Sequence, residues 1–277
     1  MPRVSPPRRA LPWAFASLSL FAAPVARAAT GVSVDVSRVE LSAQPGSTVN
    51  HAVTVLHPGA ANSGPMVVGA ALRDFRFPES GEVQFLPAGT ARNSLQRWLQ
   101  VSPQSFQLTP GQRQQVRYTL QVPADAEPGL YWGVLFFSSN SPEQAAQAQP
   151  GNILGVTYTI DVGQIIYLQV GTPRLDAKLV GVQAAYDGGR IAVQATVRNA
   201  GTGLVRAAGR AQVVDSAGKA VGFLPIEESV VLPGYSRRFG GGGDLKLAPG
   251  QYQVLVALQY AKGKFFTAQT PLVVKAP

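Results

Sequence analysis

The stretch Ile153–Val170 (ILGVTYTIDVGQIIYLQV) constrains the fold of this chain more than any other. Its even-numbered positions carry eight apolar side chains, and Gln164 is the one gap in the series. Side chains alternate between the two faces of a β-strand, so the pattern predicts a long strand with one apolar face. Such a face exceeds what soluble monomers leave exposed, and it must be covered by the chain's own core or by a partner.

The length of this stretch predicts a break in the strand. Eighteen extended residues reach roughly 59 Å, whereas a domain of about 140 residues is roughly 37 Å across. One sandwich therefore cannot contain the whole stretch as a straight strand. We place the break at Gly163-Gln164, where the apolar series is interrupted.

The N-terminus has the layout of a secretory signal peptide. A start with Arg3, Arg8 and Arg9 precedes the apolar segment Leu11–Val25, and Ala26-Arg27-Ala28 supplies small residues for cleavage. Residues 1–28 are therefore predicted to be removed, which leaves a mature chain of about 249 residues and lowers the formal charge from +9 to about +5. No later stretch is apolar enough over its length to predict a membrane-spanning helix.

The rest of the sequence predicts an all-β protein. Short alternating runs are separated by Pro-Gly turns, which is typical of a β-sandwich. The clearest runs are Val49–Leu56, Val67–Phe75, Gln115–Val122 and Leu130–Phe137. The pattern restarts after Gly171–Arg174, and we predict two immunoglobulin-like domains in tandem, residues 29–172 and 173–277. The four glycines Gly240–Gly243 are interpreted as a flexible loop.

Residues suited to catalysis or cofactor binding are scarce. The chain has no cysteine and two histidines, His51 and His57, which we interpret as packing or surface residues rather than a base or a metal pair. The tryptophans Trp98 and Trp132 are interpreted as core residues rather than as a polysaccharide-binding surface. The sequence thus predicts no enzyme activity, no cofactor and no metal site. Because the basic residues are scattered, it predicts no nucleic-acid binding either.

Three motifs in residues 31–172 resemble the first domain of periplasmic pilus-assembly chaperones, a family of two immunoglobulin-like domains. These motifs are Val34–Leu41, the run Trp98–Tyr118 with its Leu-Thr-Pro-Gly turn, and Leu130–Phe137 followed by the long alternating strand. The resemblance implies a periplasmic protein that binds secreted pilin-like subunits by lending them that strand. The donor side chains would be Leu154, Val156, Tyr158, Ile160 and Val162.

The family also binds the client's terminal carboxylate with two basic residues. Arg38 matches the first of them, and an arginine can hold a carboxylate through two parallel hydrogen bonds. The second, a lysine late in the long strand, has no counterpart in Gly163–Tyr167. The alternative is a non-enzymatic cell-envelope or adhesion-type module, in which the long strand is ordinary core and the loops bind partners.

Overall fold

The structure is a computed structural model that describes residues 31–59, 64–140 and 159–275. The predicted signal peptide (1–28) and three of the predicted donor residues, Leu154, Val156 and Tyr158, lie outside the described residues. The described residues form only strands and turns, and none forms a helix. The prediction of an all-β chain of two sandwiches is therefore confirmed.

The described residues of the N-terminal part form ten strands. They are β1 (Ser33–Val34), β2 (Arg38–Ala43), β3 (Thr48–Leu56), β4 (Met66–Arg76), β5 (Gln84–Leu86), β6 (Leu99–Ser102), β7 (Ser105–Leu108), β8 (Arg113–Gln121), β9 (Gly129–Asn140) and β10 (Thr159–Val170). One sheet has the order β1-β3-β8-β6, and the other has the order β2-β10-β9-β4-β5, with β7 also paired to β4. The four clearest runs of the sequence lie in β3, β4, β8 and β9.

The core of this part lies between the two sheets. Apolar side chains at alternate positions point inward and are buried there, among them Val53, Val55, Val116, Leu120, Leu135, Phe137, Ile166, Leu168 and Val170. The opening segment of the chain contributes to both sheets. Its β1 pairs antiparallel with β3, and its β2 pairs parallel with β10, from Arg38 opposite Ile165 to Ala43 opposite Val170.

The predicted break at Gly163-Gln164 is wrong, because β10 is continuous from Thr159 to Val170 and pairs with β9 along its whole length. Gln164 stays in the strand because its buried amide is fully engaged. Its Nε2 donates to the Val36 carbonyl oxygen at 2.9 Å, and its Oε1 accepts from the Tyr118 hydroxyl at 3.0 Å. A buried polar group with its hydrogen bonds made is compatible with a core.

The C-terminal part is one folded sheet of seven strands. They are β11 (Ala177–Asp187), β12 (Arg190–Asn199), β13 (Val205–Asp215), β14 (Ala220–Val231), β15 (Ser236–Asp244), β16 (Gly250–Ala261) and β17 (Lys264–Val274). Their order is β11-β12-β15-β14-β13-β16-β17. Among the described pairings, β14 and β15 share only Ile226 opposite Gly241, so the sheet folds there into two layers around a common core.

The interpretation of Gly240–Gly243 as a flexible loop is wrong. All four glycines belong to β15 and pair with β12, from Gly240 opposite Gln194 to Gly243 opposite Ile191. A Cβ atom on Gly241 would lie 2.7 Å from the Pro225 carbonyl oxygen. A Cβ atom on Gly242 would likewise lie 2.7 Å from the Ile191 carbonyl oxygen, so these two glycines let the strands approach closely at the corner of the sandwich.

No strand pairing among the described residues joins the N-terminal part to the C-terminal part. The last strand of the first ends at Val170 and the first strand of the second begins at Ala177. We therefore propose the division into 29–172 and 173–277 as the domain boundary of this chain.

Candidate functional site

Strand β10 is paired differently on its two sides. On one side β9 pairs with it from Thr159 to Val170, whereas on the other side β2 pairs only from Ile165 to Val170. The Ile165 amide donates to the Ser37 carbonyl oxygen at 2.8 Å, so odd-numbered residues direct their backbone groups toward β2. By the alternation of a strand, the backbone groups of Asp161 and Gly163 point to the same side, beyond the point where β2 begins.

We call residues Ile160–Gly163 the open edge, because no described strand pairs with their outer side. Two predicted donor residues lie there. Val162 is half-buried and packs against the core of the first sandwich. Ile160 is also half-buried and lies against Gly31, where an added Cβ atom would be 2.9 Å from its Cγ2.

The even-numbered side chains of β10 become more buried from the N-terminal end of the strand toward its C-terminal end. Ile160 and Val162 are half-buried, whereas Gln164, Ile166 and Leu168 have no exposed surface. The second half of the long alternating stretch is therefore ordinary core. Only the N-terminal end of the described strand combines apolar side chains with an edge that β2 does not occupy.

Arg38 is the first residue of β2 and lies opposite Ile165, where the open edge ends. Its neighbours Val39 and Leu41 pack into the core of the sandwich. Arg38 and Glu40 therefore lie on the outer face of the sheet, and the Arg38 Nε lies 3.9 Å from Glu40 Oε1. The predicted anchor residue is thus exposed at the end of that edge.

A second guanidinium group reaches the same carboxylate from the C-terminal part. Arg206 on β13 donates a hydrogen bond to Glu40 Oε1 and another to Glu228 Oε1 at 2.7 Å. Burial lowers the pKa of Arg206, but its hydrogen bond to Glu228 and the charges of Glu40 and Glu228 more than compensate, so the pKa is raised. The sequence offered no indication of this residue, because only folding of the two parts brings β13 to β2.

An apolar cluster lies beside these charges, between the two parts. It contains Phe75, Leu130, Trp132, Val134, Phe136 and Tyr167 from the N-terminal part and Leu232 from the C-terminal part. Trp132 is buried, and its Nε1 donates to the Phe75 carbonyl oxygen at 2.8 Å. The Leu130 amide donates to the Thr202 carbonyl oxygen at 2.8 Å, which ties the two parts together next to the cluster.

A third arginine, Arg237, lies near Tyr167 together with Arg38 and Arg206. Burial raises the pKa of the Tyr167 phenol, while the charges of Arg206, Arg38 and Arg237 act in the opposite direction. Arg237 stacks on Phe77 with its guanidinium carbon 4.4 Å from the ring centre, and it donates to the Val230 carbonyl oxygen at 3.1 Å. The junction therefore combines three guanidinium groups with the carboxylates of Glu40 and Glu228.

The histidine and tryptophan residues considered for catalysis or ligand binding make contacts within the fold. His57 is buried, its Nδ1 accepts from the Gly59 amide at 3.0 Å, and its Nε2 lies 3.2 Å from the Gly64 carbonyl oxygen. Trp98 packs on Tyr131 with ring centres 4.1 Å apart. Within residues 31–59, 64–140 and 159–275, no group of three or more histidine, aspartate or glutamate side chains is placed to hold a metal ion. The same residues contain no helix long and apolar enough to cross a bilayer.

Comparison with known proteins finds similarity among solved structures only. No protein-family model and no curated protein sequence matches the chain. The Salmonella enterica SafA pilin in complex with the SafB chaperone matches with 15% identity and a TM-score of 0.41, covering 90% of this chain and 99% of that one. The E. coli chaperone DraB matches with 15% identity and a TM-score of 0.40, covering 89% and 98%.

The Pseudomonas aeruginosa CupB2 chaperone matches with 11% identity and a TM-score of 0.40, covering 86% of this chain and 99% of that one. These structures are of the same class of protein as the family that the N-terminal motifs resemble. At these identities the similarity concerns the fold.

Proposed function

We propose that this chain is an exported, non-enzymatic chaperone-like protein that holds secreted, β-rich, pilin-like subunits during assembly of a surface structure. It would act in the periplasm, in keeping with the predicted signal peptide. The observation that carries the proposal is the open edge Ile160–Gly163, which lies in β10 before the point where β2 begins to pair with it.

The physical basis is the chemistry of a strand edge. Backbone N–H and C=O groups on such an edge can pair with another chain, and natural proteins cover or interrupt long edges to prevent it. When an added strand is the intended ligand, backbone pairing supplies affinity and alternate side chains fill pockets of the partner. Ile160 and Val162 would be such side chains, and Leu154, Val156 and Tyr158 continue the alternation in the sequence.

The position of β2 limits how far a bound strand can extend. From Ile165 onward the outer side of β10 is occupied by β2, so a strand on the open edge must end near Arg38. A client strand running parallel to β10, as β2 does, would end there with its C-terminus. Its carboxylate would then lie beside the Arg38 guanidinium, which suits two parallel hydrogen bonds.

The test is capture of exported proteins by tagged variants of the full chain. Asp161→Pro removes a backbone N–H that points to the open edge, and Asp161→Ala is its matched control. Ile160→Asp places a charge on the apolar face of the edge. We expect the wild-type chain and Asp161→Ala to retain the same β-rich exported subunit, and we expect Asp161→Pro and Ile160→Asp to lose it without a change in fold by circular dichroism.

Equal capture by all four proteins would refute strand addition. If Ile160→Asp instead lowers the melting temperature and leaves capture unchanged, the residue belongs to the core. Binding to isolated envelope material without any captured subunit would support the alternative, an envelope or adhesion-type module.

A further inference from the structure

Basic residues are divided unevenly between the two parts of the chain. Residues 173–277 contain 13 lysine and arginine residues and six aspartate and glutamate residues, which gives a formal charge of +7. Residues 29–172 contain seven arginines, no lysine and nine acidic residues, which gives −2. A charge difference of this kind between two halves of a chain indicates that the basic half meets an anionic partner.

The fold collects some of these basic residues at one edge of the C-terminal part. Strands β11 and β17 are the two ends of the sheet order, and they lie side by side in the folded sheet. Because every described pairing in this sheet is antiparallel, the first and the seventh strand run in the same direction. Their last turns are neighbours, since Asp187 and Val274 line the same cavity. Each strand has 11 residues, so Ala177 and Lys264, which begin them, come to the same end of the edge.

We call Lys178, Arg198, Lys262 and Lys264 the basic corner, because they lie at this end of the edge. Lys178 is in β11, directly opposite Arg198 of β12. Lys262 precedes β17 and Lys264 begins it, at a tight turn in which Gly263 has a φ of 70°. All four side chains are exposed to solvent. Residues that are far apart in the sequence therefore form one cationic surface.

The basic corner places like charges together at a cost to the fold. Lys178 and Arg198 face each other across two strands, and like charges directly opposite destabilise a sheet. No carboxylate of the described residues lies within ion-pair distance of any of the four cations. Asp176, which is close to Lys178 in the sequence, is paired with Arg174 at 2.6 Å. An anionic partner would therefore relieve the repulsion within the corner.

Two apolar side chains are exposed among these cations. Val180 is 56% exposed at a bulge in β11, and Phe265 is 54% exposed next to Lys264. At the surface of an anionic bilayer, lysine and arginine are attracted by the headgroups, and apolar side chains gain from burial at the boundary with the acyl chains. The corner combines both kinds of side chain.

The shape and composition of the corner favour a bilayer over a folded partner. Its lysines project from a strand edge and a tight turn, which present a convex surface. Arginine forks suit ligands of fixed geometry, whereas lysine is a point charge on a flexible stem. Three of the four cations are lysines, which suits headgroup phosphates that have no fixed arrangement.

We propose that the basic corner binds anionic phospholipid headgroups and holds the chain on the surface of a bilayer, with Val180 and Phe265 entering the headgroup region. The inference goes beyond the proposed function and does not depend on it, because capture of subunits is assigned to the open edge of the N-terminal part. The bilayer contact belongs to the C-terminal part alone.

The experiment measures sedimentation of the chain, purified from the periplasm, with vesicles that contain no protein. Vesicles of phosphatidylglycerol and phosphatidylcholine are compared with vesicles of phosphatidylcholine alone. Lys262→Gln/Lys264→Gln has the matched control Lys219→Gln/Lys246→Gln, which removes the same charge at the opposite end of the sandwich. Phe265→Gln is compared with Val273→Gln, because both residues are exposed but lie at the two ends of β17.

We expect the wild-type chain to sediment with the anionic vesicles and to stay in solution with the neutral ones. Lys262→Gln/Lys264→Gln should weaken binding about fivefold for each lysine replaced, since each basic residue near an anionic surface contributes separately. Phe265→Gln should weaken it about three- to tenfold through the loss of apolar burial. The two controls should change the affinity by less than about twofold, because their residues lie beyond the screening length of the bound surface.

Three results would overturn the inference. Equal sedimentation with both kinds of vesicle would show that anionic headgroups are not the ligand. Equal weakening by the two lysine pairs would show that net charge, and not the corner, is responsible. If the chain binds no vesicle but retains an acidic exported protein that Lys262→Gln/Lys264→Gln loses, the corner serves a protein partner instead.

Discussion

Gly163-Gln164 in β10 and Gly240–Gly243 in β15, where the sequence predicts a break and a loop, both lie within continuous strands. In β10 the missing apolar side chain is replaced by a buried amide that binds Tyr118 and Val36. In β15 no side chain replaces it, and at Gly241 and Gly242 the backbone of neighbouring strands already occupies the space that a Cβ atom would take. An interruption in a pattern therefore marks a position with unusual neighbours, which need not be the end of a strand.

The two sites also differ in what a new side chain would meet. A Cβ atom on Gly163 would lie 2.6 Å from Val134 Cγ2 and 3.1 Å from a ring carbon of Phe136, which are side-chain atoms. A Cβ atom on Gly241 would lie 2.7 Å from the Pro225 carbonyl oxygen, which belongs to the backbone. Side chains can change rotamer at modest cost, whereas a paired backbone moves only with its sheet.

The largest effect is expected for Gln164→Leu. The substitution places an apolar side chain in the core but leaves the Tyr118 hydroxyl and the Val36 carbonyl without their partner. Each orphaned group costs about 1–3 kcal/mol, so the loss of both partners should lower the free energy of unfolding by about 2–6 kcal/mol in urea titrations. Adding Tyr118→Phe should recover part of the loss, and a Gln164→Leu variant as stable as wild type would contradict this account.

Gly241→Ala should come next, with a loss of about 1–3 kcal/mol from crowding against the Pro225 carbonyl. Gly240→Ala is the matched control, because a Cβ atom there meets no atom within 4 Å. Its stability should stay within about 0.5 kcal/mol of wild type. Thermal unfolding of the two variants tests whether crowding is the cause. Equal losses of stability in both variants would mean that the glycines stabilise the strand for a reason other than close approach of the backbone.

Gly163→Ala should cost less than Gly241→Ala, about 1 kcal/mol, because Val134 and Phe136 can adjust. The double variant Gly163→Ala/Val134→Ala should show a smaller loss than the sum of the two single losses, which a double-mutant cycle measures. Additive losses of stability would show that the contact with Val134 is not the cause of the destabilisation in Gly163→Ala.

The smallest effect is expected at alkaline pH. Burial raises the pKa of the Tyr118 phenol, so above about pH 10, the ordinary tyrosine value, the unfolded chain loses this proton while the folded chain retains it. The stability that depends on this group is therefore fully present below pH 10 and decreases as the pH rises further. In urea titrations at increasing pH, the free energy of unfolding should decrease less steeply for Tyr118→Phe than for wild type. Parallel curves for the two proteins would show that the decrease does not come from Tyr118.

Much of the fold could be predicted from local pattern. The alternation in Val49–Leu56 or Gln115–Val122 follows from the two-residue period of a strand. The first run lies in β3, and the second lies in β8 except for its last residue. The site was predictable only in part. Arg38 follows from the opening motif, but Arg206 lies far along the chain, and no local pattern relates it to Glu40.

The sequence by itself determined the all-β class, the alternation of faces and the apolar face of β10, because these depend on backbone geometry and neighbouring residues. Only the tertiary structure decided that β10 runs unbroken through Gln164, that β2 begins only at Arg38 and leaves the open edge, and that Arg206 reaches Glu40. The physical reason is the same in each case. Whether a polar or small residue interrupts a strand or completes a site depends on the groups that remote parts of the chain bring to it.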